Sequence, residues 1–374
     1  MPDYSLHLLT GASYDGFLGE PAGVLSRNSG KWTRIAARAR YGTPRQKILA
    51  WLNIAGRKIL HIKNSASTAE TLMSACLRLA LDNQDLVVVP TADLDTLEAA
   101  QAVAQNFQGK APQFCLRFLG ADFGEIDVLL RRQRLSAVPK AMGRSIHLFT
   151  ETDELAEYLR AEFGWSVEGE FYLPCGVDPA RFTPQRLSGT PWRIGIFGAP
   201  RAEKGSGRVR TIINHTFAAS ELDPSAIEFV IQGSDLDFGA GGVYEGLLAL
   251  RSLDGKVRIT SAGENTTPAE YENLFSSVNA VLLPYDANIY GLQGSGIVLD
   301  AVAARKMIIH SAGMSMKKLL SHGNGRPAQG DAEFASQICR LSRETTDLSD
   351  GLLKAHRYLQ NRLKDHPLAT IARG

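Results

Sequence analysis

The stretch "PYDANIYGLQGSGIVLDAVAARKMIIH", Pro284 to His310, begins with a polar, glycine-rich segment and continues as an apolar segment. The apolar, alanine-rich run from Ile297 to Arg305 predicts a buried helix, and Met307 to Ile309 predicts a short buried strand. A helix followed by a wholly apolar strand is typical of parallel α/β sheets, which are covered on both faces. The glycines beside Ser295 and the lone carboxylate of Asp300 are not needed for that packing, and so indicate a site.

Short β-rich runs recur along the whole chain, with helical patterns between them. The first half contains KILHI (58–62), LVVVP (86–90), QFCLRF (113–118), SIHLFT (145–150) and EFYLP (170–174). The second half contains WRIGIFG (192–198), IEFVIQG (227–233), KVRIT (256–260), AVLLPY (280–285) and MIIH (307–310). Strands that alternate with helices predict parallel sheets. The sequence therefore predicts two doubly wound α/β domains.

The domain boundaries follow from composition. Residues 176–191 are rich in proline and glycine and predict an interdomain linker. This gives a first domain over 1–175 and a second over 192–374, and the second ends in a helical tail from Ala332 onward.

The composition is that of a soluble globular protein, with 44% hydrophobic and 21% charged residues among 374. The four cysteines include no C-x-x-C pair, which argues against a disulfide framework or a zinc site and fits a reducing cytoplasm. The amino terminus has no signal-peptide pattern, and no apolar run reaches the ~18 residues of a membrane span. We therefore expect a cytoplasmic protein.

The basic residues are unevenly distributed. Pro21 to Ala69 contains no Asp or Glu but ten Lys and Arg, between Arg27 and Lys63, although the net charge of the chain is only +2. Apolar residues interleave with the basic ones, as in an interfacial helix on anionic lipid. The pattern fits equally well a core helix whose basic residues are solvated or bind an anionic acceptor. No recognised nucleic-acid-binding module is present.

Two predicted strand ends in the second half carry residues suited to an anion. After the strand in "IGIFGAPRAEKGSGR", Arg201 and Lys204 lie on a tight loop that suits a diphosphate, although the loop also fits a solvated helix start. In "LQGSG", a helix begins whose free N–H groups and dipole favour an anion, and Gly294 and Gly296 allow close approach.

The helix after "LQGSG" has two interpretations. Asp300 lies one turn in, where its carboxylate could accept hydrogen bonds from sugar hydroxyls. In the alternative, Ser295 is an ordinary N-cap and Asp300 only stabilises the helix dipole. Glycines on both sides of Ser295 favour the ligand interpretation.

Residues 190 to 320 resemble the donor-binding domain of GT-B glycosyltransferases, in particular glycosyltransferase family 4 (group 1). The loop "RAEKG" matches the family's R-x-x-K-G. The segment "TPAEYENLFSSVNAVLLPYDANIYGLQGSGIVLDA" corresponds to S-x-E-Y, with Pro268 in the place of the serine, then to an apolar strand ending in Pro-Tyr and to G-S-G-x-x-x-(D/E)-A. The family pattern has two glutamates eight positions apart, where this chain has Leu292 and Asp300.

The resemblance implies a GT-B architecture, in which two Rossmann-like domains face a cleft. It also implies transfer of a sugar from a nucleotide-diphosphate sugar to a hydroxyl of a glycan or lipid-linked acceptor, with retention and without a metal or cofactor. The implied donor-binding residues are Arg201, Lys204, Tyr290, Gly294, Ser295, Gly296 and Asp300. His61 and Arg117, at predicted strand ends of the first domain, are candidates for a catalytic contact.

Other functions remain open at the level of the sequence. A sugar-nucleotide epimerase of the same fold would use the same donor domain, and a non-catalytic nucleotide-sugar-binding protein would also fit Leu292. The two D-x-D triplets, at 93–95 and 235–237, could hold a divalent metal as in GT-A glycosyltransferases. Asp93 alternatively predicts a helix N-cap.

Overall fold

The computed structural model describes strands 9–11 and 23–25 and residues 57–107, 110–125, 127–139, 143–174, 176–182, 191–219, 227–248, 250, 258–263, 266–344 and 348–371. The chain divides into two compact units. The first comprises the described parts of Met1–Glu151, Leu155–Phe171 and Pro367–Gly374, and the second those of Thr152–Glu154 and Tyr172–His366.

The first unit is built around a parallel three-stranded sheet of order β3–β4–β5. Its elements up to α4, which begins in the second unit, are β1 (Leu9–Gly11), β2 (Gly23–Leu25), α1 (Arg57–Arg78), β3 (Leu86–Val89), α2 (Leu94–Asn106), β4 (Gln113–Phe118), α3 (Val128–Ala137), β5 (Ile146–Thr150) and α4 (Asp153–Phe163). β1 and β2 form a separate parallel pair.

The second unit contains a six-stranded parallel sheet. Its elements are β6 (Trp192–Ile196), α5 (Val209–Ala218), β7 (Ile227–Gln232), α6 (Asp235–Phe238), β8 (Arg258–Ala262), α7 (Pro268–Ser276), β9 (Ala280–Leu283), α8 (Ala287–Tyr290), α9 (Gly296–Ala303), β10 (Met307–Ser311), α10 (Lys317–Leu320), β11 (Gly325–Ala328), α11 (Asp331–Arg343) and α12 (Ser349–Lys364). A short helix α13 (Pro367–Ile371) follows and belongs to the first unit.

The order of the second sheet fixes where a ligand can bind. The strands run β11–β10–β9–β6–β7–β8, so the chain begins at β6, extends to one side and then crosses back to β9. In open α/β sheets the crevice beyond the carboxyl ends at such a switch point is the usual ligand site. The loops after β6 and β9 meet there.

The two faces of this sheet carry different helices, because side chains alternate along each strand. On one face, which we name the α9 face, Val281 and Ile308 pack in a core with Val298 of α9. On the other, the α5 face, Ile194 and Ile309 pack with residues of α5 and α11. The central strands β9 and β10 are therefore buried on both faces, which explains their continuous apolar runs.

Two sequence predictions of secondary structure differ from the structure, and one strand was not predicted. KILHI (58–62) lies within the helix α1 and not in a strand, an ambiguity inherent in short apolar runs. EFYLP (170–174) is not a strand, because Glu170 has a left-handed backbone (φ 58°) that interrupts extension. The edge strand β11 went unpredicted because it contains Pro327, which is tolerated only at edges.

Candidate functional site

The loop after β6 brings Lys204 to the helix α9. At Gly198, whose φ is 85°, an added Cβ would lie 2.9 Å from Lys204 Nζ and 3.6 Å from Ile297 Cδ1. The lysine ammonium and the first turn of α9 therefore flank the same point, although they are far apart in the sequence. Both lie at the switch point of the sheet.

The conformation of this loop is fixed by its backbone. Gly205 has φ 67°, and a Cβ added there would overlap the carbonyl oxygen of Pro284. The Asp286 N–H donates to Glu203 O (2.9 Å), and the Arg201 N–H donates to Ser206 Oγ (3.0 Å). The glycine of the R-x-x-K-G motif thus has a structural reason, because only a residue without a side chain lets the loop approach the end of β9 so closely.

The two cations of the loop differ in exposure. Arg201 is exposed, whereas Lys204 is half-buried. Burial lowers the pKa of Lys204, and the neighbouring charge of Arg201 lowers it further. Oε1 of Glu203 lies 4.0 Å from Nη1 of Arg201 and compensates the positive charge only in part. The loop therefore presents net positive charge beside α9.

The amino terminus of α9 is open. Ser295 occupies the N-cap position, but its side chain makes no capping hydrogen bond, and its N–H donates to the sulfur of Met316 (3.3 Å). Gly296 is exposed, and a Cβ added there would meet nothing within 4 Å, whereas Gly294 is buried. The N–H groups of Gly296 and Ile297 have no acceptor within the helix. These donors can bind an anion.

Two tyrosines line the buried side of this helix mouth. The Tyr285 hydroxyl is buried with no hydrogen-bond partner of good geometry among the described residues, and the side chain of Ser295 is its neighbour. Burial raises the pKa of Tyr285, so this hydroxyl stays protonated and can donate. Tyr290, predicted as a donor-site residue, is buried and packs against Tyr285 with ring centroids 4.4 Å apart. The Pro-Tyr end of the β9 run was the available sequence signal for Tyr285.

Asp300 is buried and connects three segments. Its Oδ1 accepts from the Val177 N–H (2.9 Å), and its Oδ2 accepts from the Tyr271 hydroxyl (2.7 Å). The Tyr271 ring also covers Gly176, where an added Cβ would lie 2.5 Å from Cε1. Burial raises the pKa of Asp300 to about 6, against the lowering effect of these hydrogen bonds. The backbone N–H of Gly176 also hydrogen-bonds this carboxylate, so three donors of the chain already hold it.

The position of the family's first glutamate carries no carboxylate. The carbonyl oxygen of Leu292 accepts from the Thr152 hydroxyl (2.6 Å), and that of Gln293 accepts from the Ser315 hydroxyl (2.7 Å). The segment before α9 is therefore held through its backbone.

Three of the four D-x-D carboxylates have structural partners. Asp93 accepts from the Thr96 N–H as the N-cap of α2, which confirms that interpretation, and Asp95 pairs with Arg134 (2.6 Å). Asp237 forms a capping box with Ser234 at the start of α6. Within the described ranges, no group of three or more His, Cys, Asp or Glu is arranged to hold a metal ion.

The structure places the two candidates for a catalytic contact, both in the first unit, in different kinds of element. Arg117 is buried and donates to Phe171 O (2.8 Å), Pro90 O (3.0 Å) and Glu151 Oε1 (2.7 Å), so its guanidinium ties together the carboxyl ends of the sheet. The backbone of His61 lies in the helix α1, so the predicted strand-end position of His61 is wrong. Its side chain lies outside the described residues.

The basic segment from Arg27 to Lys63 also lies outside the described residues, apart from the backbone of α1. Among the helices that the structure describes, none has the length and apolarity to span a bilayer.

Comparison with known proteins identifies the fold. No family model and no curated protein matches the sequence. Solved structures do match: a glycosyltransferase from Rickettsia africae (14% identity, 99% of this chain and 97% of that one, TM-score 0.57) and a UDP-forming α,α-trehalose-phosphate synthase from Burkholderia xenovorans (12%, 94% and 85%, 0.57). The sucrose-phosphate synthase of Thermosynechococcus elongatus is also similar (15%, 82% and 75%, 0.56). These are GT-B glycosyltransferases, so the predicted GT-B fold is confirmed.

Proposed function

We propose that the protein is a glycosyltransferase that uses a nucleotide-diphosphate sugar as donor. The observation that carries this proposal is the convergence of the Lys204 ammonium and the open amino terminus of α9 at one point of the switch-point crevice. A half-buried cation beside free backbone N–H groups matches the charge and shape of a diphosphate. The similar trehalose-phosphate synthase is UDP-forming, which favours UDP as the nucleotide.

In the proposed reaction, the bond between the anomeric carbon and the diphosphate oxygen breaks, and its electron pair stays on that oxygen. The acceptor hydroxyl oxygen bonds to the anomeric carbon, and the hydroxyl proton passes to the leaving diphosphate. Negative charge develops on the leaving diphosphate. Arg201, Lys204 and the N–H groups at Gly296 would stabilise that charge. Their positions are fixed before the reaction, and electrostatic stabilisation of a transition state is strongest when the donors are preorganised in this way. The buried Tyr285 hydroxyl would add a neutral donor.

The finer features of the reaction follow the same proposal. Because two side-chain cations and a helix amino terminus supply positive potential, we propose that transfer needs no metal ion. We further propose retention at the anomeric carbon, and as acceptor a hydroxyl group of a glycan or lipid-linked molecule. The basic segment from Arg27 to Lys63 would contact that acceptor or an anionic membrane surface.

A panel of sugar nucleotides incubated with the purified protein and candidate acceptors tests the proposal. A glycosyltransferase releases free nucleoside diphosphate and increases the mass of the acceptor by one sugar. An epimerase would return an isomeric sugar nucleotide without free diphosphate, and a binding protein would leave every compound unchanged. Calorimetry with UDP and GDP identifies the nucleotide, and absence of binding to both would refute the donor site.

A further inference from the structure

A cavity of about 340 Å³ opens behind the loop that carries Lys204. It lies at the carboxyl ends of β9, β10 and β11, and its walls include Gly205, Arg208, Pro284, Ser311, Ala312 and Gln329. Its volume is at the lower end of the range of roughly 300–1,000 Å³ for small-molecule pockets.

The alternation of side chains places this cavity on the α5 face. Ile309 packs in the core with α5, and Ser311 follows it by two residues, so both side chains point to that face of the sheet. Arg208 and Gln329 border α5 and α11, which cover the same face. The open mouth of α9 belongs to the other face, so the cavity and the proposed donor site lie on opposite sides of the loop around Gly205.

A buried hydroxyl on the cavity wall lacks a partner. Ser311 is 5% exposed, and its Oγ has no hydrogen-bond partner in the part of the chain that the structure describes. Buried polar side-chain atoms are nearly always hydrogen-bonded, and leaving one unpaired is destabilising. A molecule in the cavity could supply the missing partner.

The charged groups around the cavity already have hydrogen-bond partners. Arg208 donates to Asp331 through Nε (2.8 Å) and Nη2 (2.7 Å) and to Pro284 O through Nη1 (3.1 Å). Asp286 Oδ1 accepts from the backbone and side-chain nitrogens of Asn288, each at 2.9 Å. The Arg208 cation is thus paired with Asp331, whereas the Asp286 carboxylate can still accept from hydroxyl groups, so the wall matches a polyol better than an anion.

We propose that this cavity is a second small-molecule site, which takes an uncharged sugar or polyol about the size of a monosaccharide. Hydroxyl groups of the ligand would satisfy Ser311 and contact the amide of Gln329. The site lies on the opposite face of the sheet from the proposed donor site, with which it shares the loop around Gly205 and the wall residue Tyr285.

Saturation-transfer NMR and titration of the full chain with methyl α-D-glucopyranoside, myo-inositol and glycerol test this proposal. We expect at least one probe to bind the wild type. Ser311→Ala should weaken its binding roughly three- to tenfold, the value of one hydrogen bond. Ala312→Phe should abolish binding by filling the cavity, whereas Ser321→Ala, an exposed serine on the same unit, should have no effect.

The sites are separated by a second titration with UDP. We expect Ala312→Phe to retain wild-type affinity for UDP, and UDP not to displace the probe. Failure of all three probes to bind the wild type would overturn the proposal, as would displacement by UDP or equal binding to wild type and Ser311→Ala. If UDP itself does not bind, the proposed donor site fails while the sugar titrations still decide the cavity.

Discussion

The hydroxyl group of Tyr271 donates to Oδ2 of Asp300 at 2.7 Å, and this bond joins α7 to α9 inside the second unit. Because Oδ1 of the same carboxylate accepts from the Val177 N–H, Asp300 also holds the segment that follows Cys175 in the sequence. A carboxylate of this kind has a structural role whether or not it also contacts a ligand. Two substitutions can separate these roles. One replaces Oδ2 of Asp300, and the other removes the Tyr271 hydroxyl that donates to it.

Asp300→Asn should weaken UDP binding roughly ten- to a hundredfold if the carboxylate holds the ribose, since hydrogen bonds to a charged group contribute about 1.5–3 kcal/mol. Asparagine can accept from the Val177 N–H and donate to the Tyr271 hydroxyl, so the apo protein should melt at nearly the same temperature at pH 6 or below. Calorimetry and thermal unfolding measure the two effects.

A control removes the other partner. Tyr271→Phe leaves Oδ2 available, so a ribose-binding Asp300 should then bind UDP at least as tightly as the wild type. A 2′,3′-dideoxy nucleotide should bind wild type and Asp300→Asn about equally. Unchanged UDP affinity in Asp300→Asn would limit this residue to its structural role.

The pKa of Asp300 predicts a pH dependence of stability. An aspartate in the unfolded chain ionises near about 3.9, but in the folded protein burial raises the pKa to about 6. Between these values the folded state retains a proton that the unfolded state loses. The free energy of unfolding should therefore fall as pH rises from about 4 to about 6, by on the order of 2–3 kcal/mol.

Urea unfolding of wild type and Asp300→Asn at pH 4 and pH 7 measures this effect. The variant lacks the titrating group, so its stability relative to the wild type should increase between the two pH values. A difference between the two proteins that stays constant across this range would show that Asp300 ionises normally.

Replacing Arg201 or Lys204 with alanine should cost roughly 1.5–3 kcal/mol of UDP binding, the range for charge-assisted hydrogen bonds. Because burial lowers the pKa of Lys204, the affinity of the wild type should also begin to fall with rising pH before the usual lysine range is reached. Lys364→Ala, an exposed lysine of α12, is the matched control. Equal affinities in all four proteins would remove the loop from the site.

Much of the second unit could be predicted from the sequence. Strands buried on both faces produce continuous apolar runs, and the two motifs at β6 and α9 have fixed spacings, so Arg201, Lys204 and Gly296 could be singled out. Their mutual distance, by contrast, depends on the strand order, which local patterns do not contain. The half-burial of Lys204 and the orphan hydroxyl of Tyr285 follow from that order.

The partners of Asp300 were missed for a similar reason. Tyr271 belongs to a quoted motif, but nothing in its neighbours predicts a contact with a residue 29 positions later. In the first unit, KILHI was predicted as a strand because a run of five apolar and basic residues fits the periodicity of a strand as well as that of a helix. Only the full length of α1 shows that the segment is helical.

Gly205→Ala should disrupt the loop, whereas Gly207→Ala should be tolerated. The first places a Cβ on a left-handed backbone against the Pro284 carbonyl, while the second meets nothing within 4 Å. We expect a loss of roughly 1–3 kcal/mol of stability for Gly205→Ala, as for other residues forced into strained backbone regions, together with weaker UDP binding. Circular dichroism melts and calorimetry of both variants test this, and equal behaviour would contradict it.

Chelation tests the proposed independence from metal ions. Transfer activity should persist in excess EDTA, because Lys204, Arg201 and α9 supply the positive potential. Loss of activity that manganese restores would shift attention to the D-x-D pairs. Asp237→Asn would then abolish activity, and not merely weaken the cap of α6.

The sulfur atom that accepts the Ser295 N–H has a practical consequence. A thioether is a weak acceptor, so the bond to Met316 is easily exchanged for one to an oxyanion. Phosphate or sulfate in a purification or crystallisation buffer would compete for the same N–H group. Binding constants for nucleotides should accordingly be measured in amine buffers with chloride as counter-ion, and any electron density at the start of α9 should first be assigned to a buffer anion.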